Sequence, residues 1–211
     1  MYRDVLCKIC VQECGLTVVG EAGDAATGIA LVREHRPEIL LLDVGLPRDG
    51  DGDGDGDGDG DGFAVIEATT DLRPSPRTLV VSANVCEYVV ARCERLRVAG
   101  FLDKGCNNIA TLPPALAALT AGRTSFSPAY ENAKRTWLGD PRAIAKRLTD
   151  TEQKIFPLIA AGRTNLEIAA AAGIAEGTAK IHRSAILRRL DLPSTPKLMA
   201  FAAERGFGPL R

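Results

Sequence analysis

The segment 164–190, TNLEIAAAAGIAEGTAKIHRSAILRRL, decides the fold of the second half of the chain. Thr164 and Glu167 have the spacing of a capping box, in which each side chain accepts a hydrogen bond from the other residue's amide. This spacing predicts a helix that begins there and ends at Gly173, a residue suited to the left-handed conformation that closes a helix. A second helix is predicted over residues 176–190. Two short helices joined by a glycine turn predict a helix-turn-helix, which lays its second helix in the major groove of DNA.

Residues 148–206 as a whole resemble the LuxR/FixJ-type DNA-binding domain. The sequence LTDTEQ opens this region, NLEIA begins the first helix of the motif, and TAKIHRSAILRRL stands where the family has its recognition helix. The alternative interpretation is a plain helical bundle with solvated charges. The residues expected to meet DNA are Lys180, Ile181 and Ser184 in the groove, with His182 and Arg188 on phosphates.

Several positions depart from the family pattern. Leu166 and Gly177 stand where the family usually has lysines, so two phosphate contacts are expected to be missing, which weakens non-specific binding. Arg183 interrupts an apolar stripe of the second helix, where it must extend its charged end out of the core or strain that core. Ala175 replaces the usual serine cap, a change that typically costs about 1 kcal/mol. Reduced DNA affinity is therefore expected from a working fold.

Composition and charge set broader bounds. A chain of 211 residues, 45% of them hydrophobic, suits two small globular domains. Residues 1–122 carry 11 Lys and Arg against 19 Asp and Glu, whereas residues 123–211 carry 15 against 8, so a net charge of −8 precedes one of +7. This asymmetry predicts that the second half meets nucleic acid. The absence of an apolar run of about 20 residues and of a signal-peptide layout predicts a cytoplasmic protein with no membrane span.

The cysteines and histidines do not suggest a metal or disulfide scaffold. Cys7, Cys10 and Cys14 have spacings that invite a metal interpretation, but on a helix they share one face with Val11, where cysteine behaves as a small hydrophobe. With only two histidines in the chain, no fourth ligand is evident. Core packing is the favoured interpretation, over a zinc or redox site.

The first half alternates between strand and helix patterns, which predicts a doubly wound α/β domain. Its most apolar run, EILLLDV at 38–44, is typical of a strand buried on both faces of a parallel sheet. Further strands are predicted at 16–22, 78–83 and 100–103. Helices are predicted at 2–14, 25–35, 63–72, 87–98 and 113–121.

Three polar residues fall at the carboxyl ends of these strands, where α/β sheets place their chemistry: Asp43, Ser82 and Lys104. With LLDVGLP around the aspartate, this arrangement resembles the receiver domain of two-component response regulators. The resemblance implies that Asp43 accepts a phosphoryl group from a histidine kinase, that Ser82 and Lys104 bind that group, and that Phe101 is the switch aromatic. Phosphoryl transfer depends mainly on positioning and on cationic stabilisation, which suits these residue types.

The acidic pair that holds Mg²⁺ in family receivers has no counterpart, because the chain begins at the helix after that pair. Asp43 and the Gly45 carbonyl are the expected remaining ligands, a thin oxygen shell for a hard cation. The sheet is likewise expected to lack its first strand and to leave edges that need covering. Two explanations stay open: a longer native chain, or a degenerate receiver.

Seven Asp-Gly dipeptides follow the phosphoacceptor strand, from Asp49 to Gly62. Low apolar content and high charge predict disorder. The repeat begins like an EF-hand loop, but the glutamate required at position 12 is out of phase, so an inert expansion is favoured over specific Ca²⁺ binding.

The domains expected from these patterns are an incomplete receiver at 1–122, a linker at 123–147 and a four-helix DNA-binding domain at 148–211. The expected function is phosphorylation-controlled binding of promoter DNA by a homodimer, with no enzymatic turnover. The alternatives are a phosphorylation-independent DNA-binding regulator and a signalling sink that no longer binds DNA.

Overall fold

The computed structural model describes residues 2–44, 62–106, 109–141, 143–205 and 207. Gly45, Pro47 and the Asp-Gly repeat up to Asp61 therefore lie outside the described residues. The chain divides into two compact units. Unit 1 contains residues 1–85 and 92–132, and unit 2 contains residues 86–91 and 133–210.

Unit 1 is built on a parallel sheet, as the alternating pattern predicts. In the described part of the chain the sheet has four strands in the order β1 to β4: β1 (Ile39–Asp43), β2 (Arg77–Ser82), β3 (Gly100–Asp103) and β4 (Ser125–Phe126). Register pairs Asp43 with Val81, and Ser82 with Asp103. The strand ends that carry the predicted site residues therefore meet at one edge of the sheet.

In the described residues, two α-helices precede β1, and one α-helix follows each of β1, β2 and β3. In chain order they are α1 (Tyr2–Gln12), α2 (Ala25–His35), α3 (Phe63–Ala68), α4 (Glu87–Arg95) and α5 (Leu112–Thr120). The predicted α2 is confirmed, and the Asp24 carboxylate caps it by accepting the Thr27 amide at 2.7 Å. Helices α3 and α4 are shorter than expected, because each ends in turns that the apolar pattern had included.

The strand predicted at 16–22 is wrong. These residues have no regular secondary structure, and Val18 and Val19 remain 36% and 46% exposed. A β-forming composition does not make a strand without a neighbour to pair with. Strand β1 is consequently an edge of the described sheet, and most of its residues are only half-buried, whereas β2 is buried along nearly its whole length.

The core of unit 1 packs α1 and α5 against the sheet. Cys10, 9% exposed, joins Leu79, Leu116 and Leu119 in one apolar cluster, as expected for a cysteine that behaves as a hydrophobe. Cys7 and Cys14 are free thiols at intermediate exposure, and burial raises the pKa of all three thiols. The core interpretation of this helix face is confirmed for Cys10.

Unit 2 is helical. After α6 (Pro128–Gly139), which starts in unit 1, come α7 (Ile144–Arg147), α8 (Asp150–Ala160), α9 (Asn165–Ala172), α10 (Glu176–Arg189) and α11 (Thr195–Glu204). Helix α8 continues through Pro157 to Ala160, although proline has no amide hydrogen to donate within a helix. Residues of α8 to α11, among them Phe156, Ile168, Ile186 and Leu198, form one buried cluster.

No described helix combines the length and apolar character that crossing a bilayer requires.

Candidate phosphoacceptor site and nucleic-acid interface

The carboxyl edge of the sheet brings Asp43 and Lys104 into direct contact. The Lys104 ammonium donates a hydrogen bond to Oδ2 of Asp43. The two side chains are 24% and 37% exposed for Lys104 and Asp43, so the pair is reachable from solvent. A carboxylate held beside a cation at a strand end can accept a group whose negative charge the cation then neutralises.

Gly62 lies against the backbone of the same strand. Its amide donates to the Val44 carbonyl at 3.4 Å, and a Cβ added to Gly62 would stand 2.5 Å from the Asp43 carbonyl oxygen. Only glycine permits this approach without displacing the backbone. The start of α3 is thus held next to Asp43.

Ser82 ends β2 one position beyond the residue that pairs with Asp43. Its side chain is buried, and its Oγ accepts the Asn84 amide at 3.1 Å and lies 3.3 Å from the Asn84 carbonyl. The hydroxyl is therefore engaged within its own turn.

Phe101, the predicted switch aromatic, is fully buried in β3 and stacks on Tyr130 of α6, with ring centroids 5.0 Å apart. Tyr130 also stacks on Phe126 at 4.8 Å and donates its hydroxyl to Oε1 of Glu94 at 2.8 Å. Burial raises the pKa of Tyr130 far above its ordinary value. Sequence reasoning missed Tyr130, because it lies in a segment that reads as a linker.

The predicted Mg²⁺ ligands are only half described. Asp43 lies at the carboxyl end of β1, and Gly45 lies outside the described residues. Within the described ranges, no three His, Cys, Asp or Glu side chains come together as a metal-binding group. The described residues therefore offer few clustered oxygen ligands to a divalent cation. The Asp43 carboxylate is also already paired with the Lys104 ammonium.

The helix-turn-helix forms as the sequence predicts. Thr164 and Glu167 make both halves of the capping box, and Gly173 closes α9 with φ of 66°. Ala175, the residue before α10, has the extended backbone of a helix cap but no side chain that can accept a capping hydrogen bond. The second capping box, between Thr149 and Glu152, opens α8.

The predicted DNA-binding residues occupy the exposed side of α10. Ile181 is 68% exposed on this side of the helix. The Ser184 hydroxyl donates to the Lys180 carbonyl at 3.1 Å, one turn earlier. His182 is half-buried. The exposed members of the predicted set are Lys180, Ile181, Ser184 and Arg188.

Arg183 reaches out of the core rather than leaving its charge inside it. Its Nε donates to Oδ1 of Asn165 at 2.7 Å, and its terminal nitrogen donates to the Arg163 carbonyl at 2.5 Å. Burial lowers the pKa of Arg183 from its ordinary value. The interrupted stripe is accommodated in this way, with Ala179 and Ile186 fully buried on either side.

Comparison with known proteins finds similarity to bacterial regulatory proteins. Residues 146–202 match the family described as bacterial regulatory proteins of the luxR family. The transcriptional regulatory protein MctR of Rhizobium johnstonii is 28% identical over 195 residues, covering 90% of this chain and 83% of that protein. The DNA-binding transcriptional activator DevR/DosR of Mycobacterium tuberculosis is 29% identical over 195 residues, with the same coverage of 90% and 83%.

Among solved structures, the RcsB response regulator of Salmonella typhimurium superposes with a TM-score of 0.68 at 23% identity, covering 96% of this chain and 92% of that one. This likeness concerns the fold. A doubly wound sheet domain followed by a helical domain with a helix-turn-helix is the architecture that the two chains share.

Proposed function

We propose that this chain is a DNA-binding transcription regulator of a two-component phosphorelay, because residues 146–202 match the luxR family of bacterial regulatory proteins and relatives such as DevR/DosR are similar over 90% of the chain. In this proposal Asp43 accepts a phosphoryl group from a sensor histidine kinase, and the helical unit binds promoter DNA as a homodimer. The observation that carries the first part is the contact between Lys104 and Asp43 at the carboxyl edge of the sheet. Such a role belongs in the cytoplasm, where promoter DNA lies.

The chemistry follows from the groups at that edge. A carboxylate oxygen of Asp43 forms a bond to phosphorus, the phosphorus–nitrogen bond of a phosphohistidine breaks, and the histidine nitrogen takes up a proton. Lys104, already adjacent, stays paired with the added negative charge. Ser82 turns from Asn84 to donate its hydroxyl to a phosphoryl oxygen, and Phe101 responds to that movement at the next strand.

Mg²⁺ is the cofactor that this chemistry ordinarily uses, and when bound it supplies positive charge beside the transferred group. The described residues offer it the Asp43 carboxylate, and the Gly45 carbonyl is proposed as a second ligand. Because a hard cation prefers six oxygen ligands, we propose that Mg²⁺ binds weakly and keeps most of its water.

The DNA interface is proposed on the exposed side of α10. Lys180, Ile181 and Ser184 are assigned to base edges, and His182 and Arg188 to phosphates. Leu166 is 65% exposed on α9, where an aliphatic side chain cannot neutralise a phosphate. Binding with a shallow salt dependence is therefore expected, since each phosphate contact contributes about one to the slope of affinity against salt.

Intact-mass measurement after incubation with Mg²⁺ and acetyl phosphate tests the phosphoacceptor. We expect one phosphoryl adduct on the wild-type chain and none on Asp43→Ala. Lys104→Ala should retain the acceptor but give less adduct. Absence of an adduct on folded wild-type chain would contradict the phosphoacceptor and leave phosphorylation-independent DNA binding.

Duplex binding as a function of salt, with and without acetyl phosphate, tests the second part. Phosphorylation should strengthen binding in the wild-type chain and leave Asp43→Ala unchanged. If the folded chain binds no duplex at any salt concentration, it is a signalling sink instead of a transcription regulator.

A further inference from the structure

Arg183 occupies a position where the fold calls for an apolar residue. It lies on the stripe of α10 formed with Ala179, Ile186 and Leu190, and those three residues are 0%, 0% and 4% exposed. The opposite side of the helix carries the exposed candidates for DNA contact. Arg183 therefore lies on the side of α10 that faces the protein, and its guanidinium donates to the residues around the start of α9.

The guanidinium connects α10 to the start of α9. Its two acceptors, the Asn165 side chain and the Arg163 carbonyl, lie on either side of Thr164, the residue that caps α9. A guanidinium is planar and rigid, so two hydrogen bonds to separate acceptors restrict both its position and its orientation. Arg183, in the middle of α10, thus holds the first turn of α9 in place.

This contact contributes more to geometry than to stability. Both acceptors are neutral oxygens, and burial lowers the pKa of Arg183 because the charged form loses solvent. A partly desolvated cation with neutral partners contributes little net stability compared with an apolar side chain of the same length. Removing the charge of Arg183 should therefore change the placement of α9 relative to α10 more than it changes the stability of the unit.

We propose that Arg183 is a positioning residue for DNA binding, which sets the placement of α9 relative to the recognition helix α10. In a helix-turn-helix the first helix crosses the DNA backbone while the second enters the major groove. Both sets of contacts form together only if the two helices keep one angle. This inference rests on the DNA-binding role proposed above and adds a determinant that does not itself touch DNA.

The test compares two arginines of the same helix in the full-length chain. Arg183→Met keeps the length and apolar stem of the side chain and removes both hydrogen bonds. Arg188→Met, the matched control, removes a proposed phosphate contact. Dissociation constants are measured over a range of salt concentrations on a duplex enriched by selection with the wild-type chain and on a mixed-sequence duplex.

Arg183→Met should weaken binding to the enriched duplex by roughly tenfold without changing the salt slope. Arg188→Met should reduce that slope by about one on both duplexes. Asn165→Ala should weaken enriched-duplex binding in the same way as Arg183→Met, and the double variant should lose no more than Arg183→Met alone, because both changes break one contact. Arg183→Lys, which can reach only one acceptor, should fall between wild type and Arg183→Met.

Three results would overturn the positioning role. A slope reduced by one in Arg183→Met would make Arg183 a direct phosphate contact. Unchanged affinity with a lower melting temperature would make its role purely structural, and independent losses from the Arg183 and Asn165 substitutions would separate the two residues. Asn165→Ala keeps the test decisive if Arg183→Met does not fold. Failure of the wild-type chain to bind either duplex would instead refute the proposed function, and positioning with it.

Discussion

Two consecutive helices of unit 2 begin with the same four-residue motif but in different surroundings. Thr149 and Glu152 open α8, and Thr164 and Glu167 open α9, each pair forming both hydrogen bonds of a capping box. Glu152 is only 3% exposed, whereas Glu167 is open to solvent. The same local motif thus supports a buried helix start in one place and a solvated one in the other.

The partners of the two carboxylates explain the difference. Glu152 accepts the Thr149 amide at 2.8 Å and is also paired with Nε of Arg189 at 3.0 Å, which joins α8 to the end of α10. Glu167 accepts the Thr164 amide at 2.7 Å, and its ion pair with Arg163 of the preceding turn is longer, at 3.6 Å. A capping box therefore contributes to tertiary structure only when its carboxylate also reaches another helix.

The largest effect is expected from Glu152→Ala. It removes the acceptor of the Thr149 amide and leaves Arg189 without its buried carboxylate, so the free energy of unfolding of unit 2 should fall by about 2 to 3 kcal/mol. The measurement is a urea titration followed through the amide NMR signals of α8 to α11. Glu152→Gln, which keeps a capping acceptor, should lose less.

Glu167→Ala is the matched substitution in the other box and should destabilise unit 2 less than Glu152→Ala. Equal losses from the two alanine variants would show that burial of Glu152 and its contact with Arg189 add nothing to the box itself.

A gain of stability is expected where a cap is missing. Ala175 has a φ of −72° and a ψ of 148°, the geometry of a helix cap, yet it offers no acceptor to the first turn of α10. Ala175→Ser should supply that acceptor and raise the free energy of unfolding by about 1 kcal/mol.

The same urea titration measures this change, with Ala175→Gly as a control that permits the backbone conformation but adds no acceptor. A serine variant no more stable than the glycine variant would show that the α10 start does not need a side-chain cap.

The smallest effect concerns pH. The Thr164 amide, then its hydroxyl, hold the pKa of the Glu167 carboxyl below its ordinary value. A carboxyl whose pKa is depressed by folding stabilises the native state above its unfolded pKa and loses that contribution as pH falls through the folded value. Unit 2 should therefore lose a small increment of stability below about pH 4.3, the ordinary pKa of glutamate.

Melting temperatures of wild type and Glu167→Gln, compared between neutral and acidic pH, measure this increment. The difference between the two chains should shrink as the pH falls. A difference that stays constant over this range would assign the stabilisation to the shape of the side chain instead of its charge.

Sequence patterns predicted most of the elements, and the failures have identifiable causes. The run ILLLD of β1 and the run TLVVS within β2 both predict buried strands, but β1 is only half-buried because it lies at an edge of the described sheet. The valines of segment 16–22 suited a strand, yet pairing depends on a neighbour distant in sequence. The starts of helices were more reliable because caps such as Asp24, Thr149 and Thr164 act within one turn.

Some residues of the candidate sites could likewise be predicted from the sequence, and others could not. Asp43 and Lys104 could be identified because strand ends in a parallel sheet meet at one edge, and the structure places them in contact. Tyr130 could not, since its stacking on Phe101 joins a helix to a strand far from it in sequence. The contact of Arg183 with Asn165 was equally invisible, because the stripe of α10 showed only that a charge interrupted it.

By itself the sequence determined where the capped helices α2, α8 and α9 begin and which apolar runs form β1, β2 and β3, and it predicted the residues for phosphoryl and DNA chemistry. These depend on interactions within a few residues, or on the period of apolar side chains. The tertiary structure alone decided that Glu152 is buried while Glu167 is not, that β1 is half-buried, and that Arg183 holds the start of α9. Each of these depends on which distant groups displace water from a side chain, and a local pattern does not contain that information.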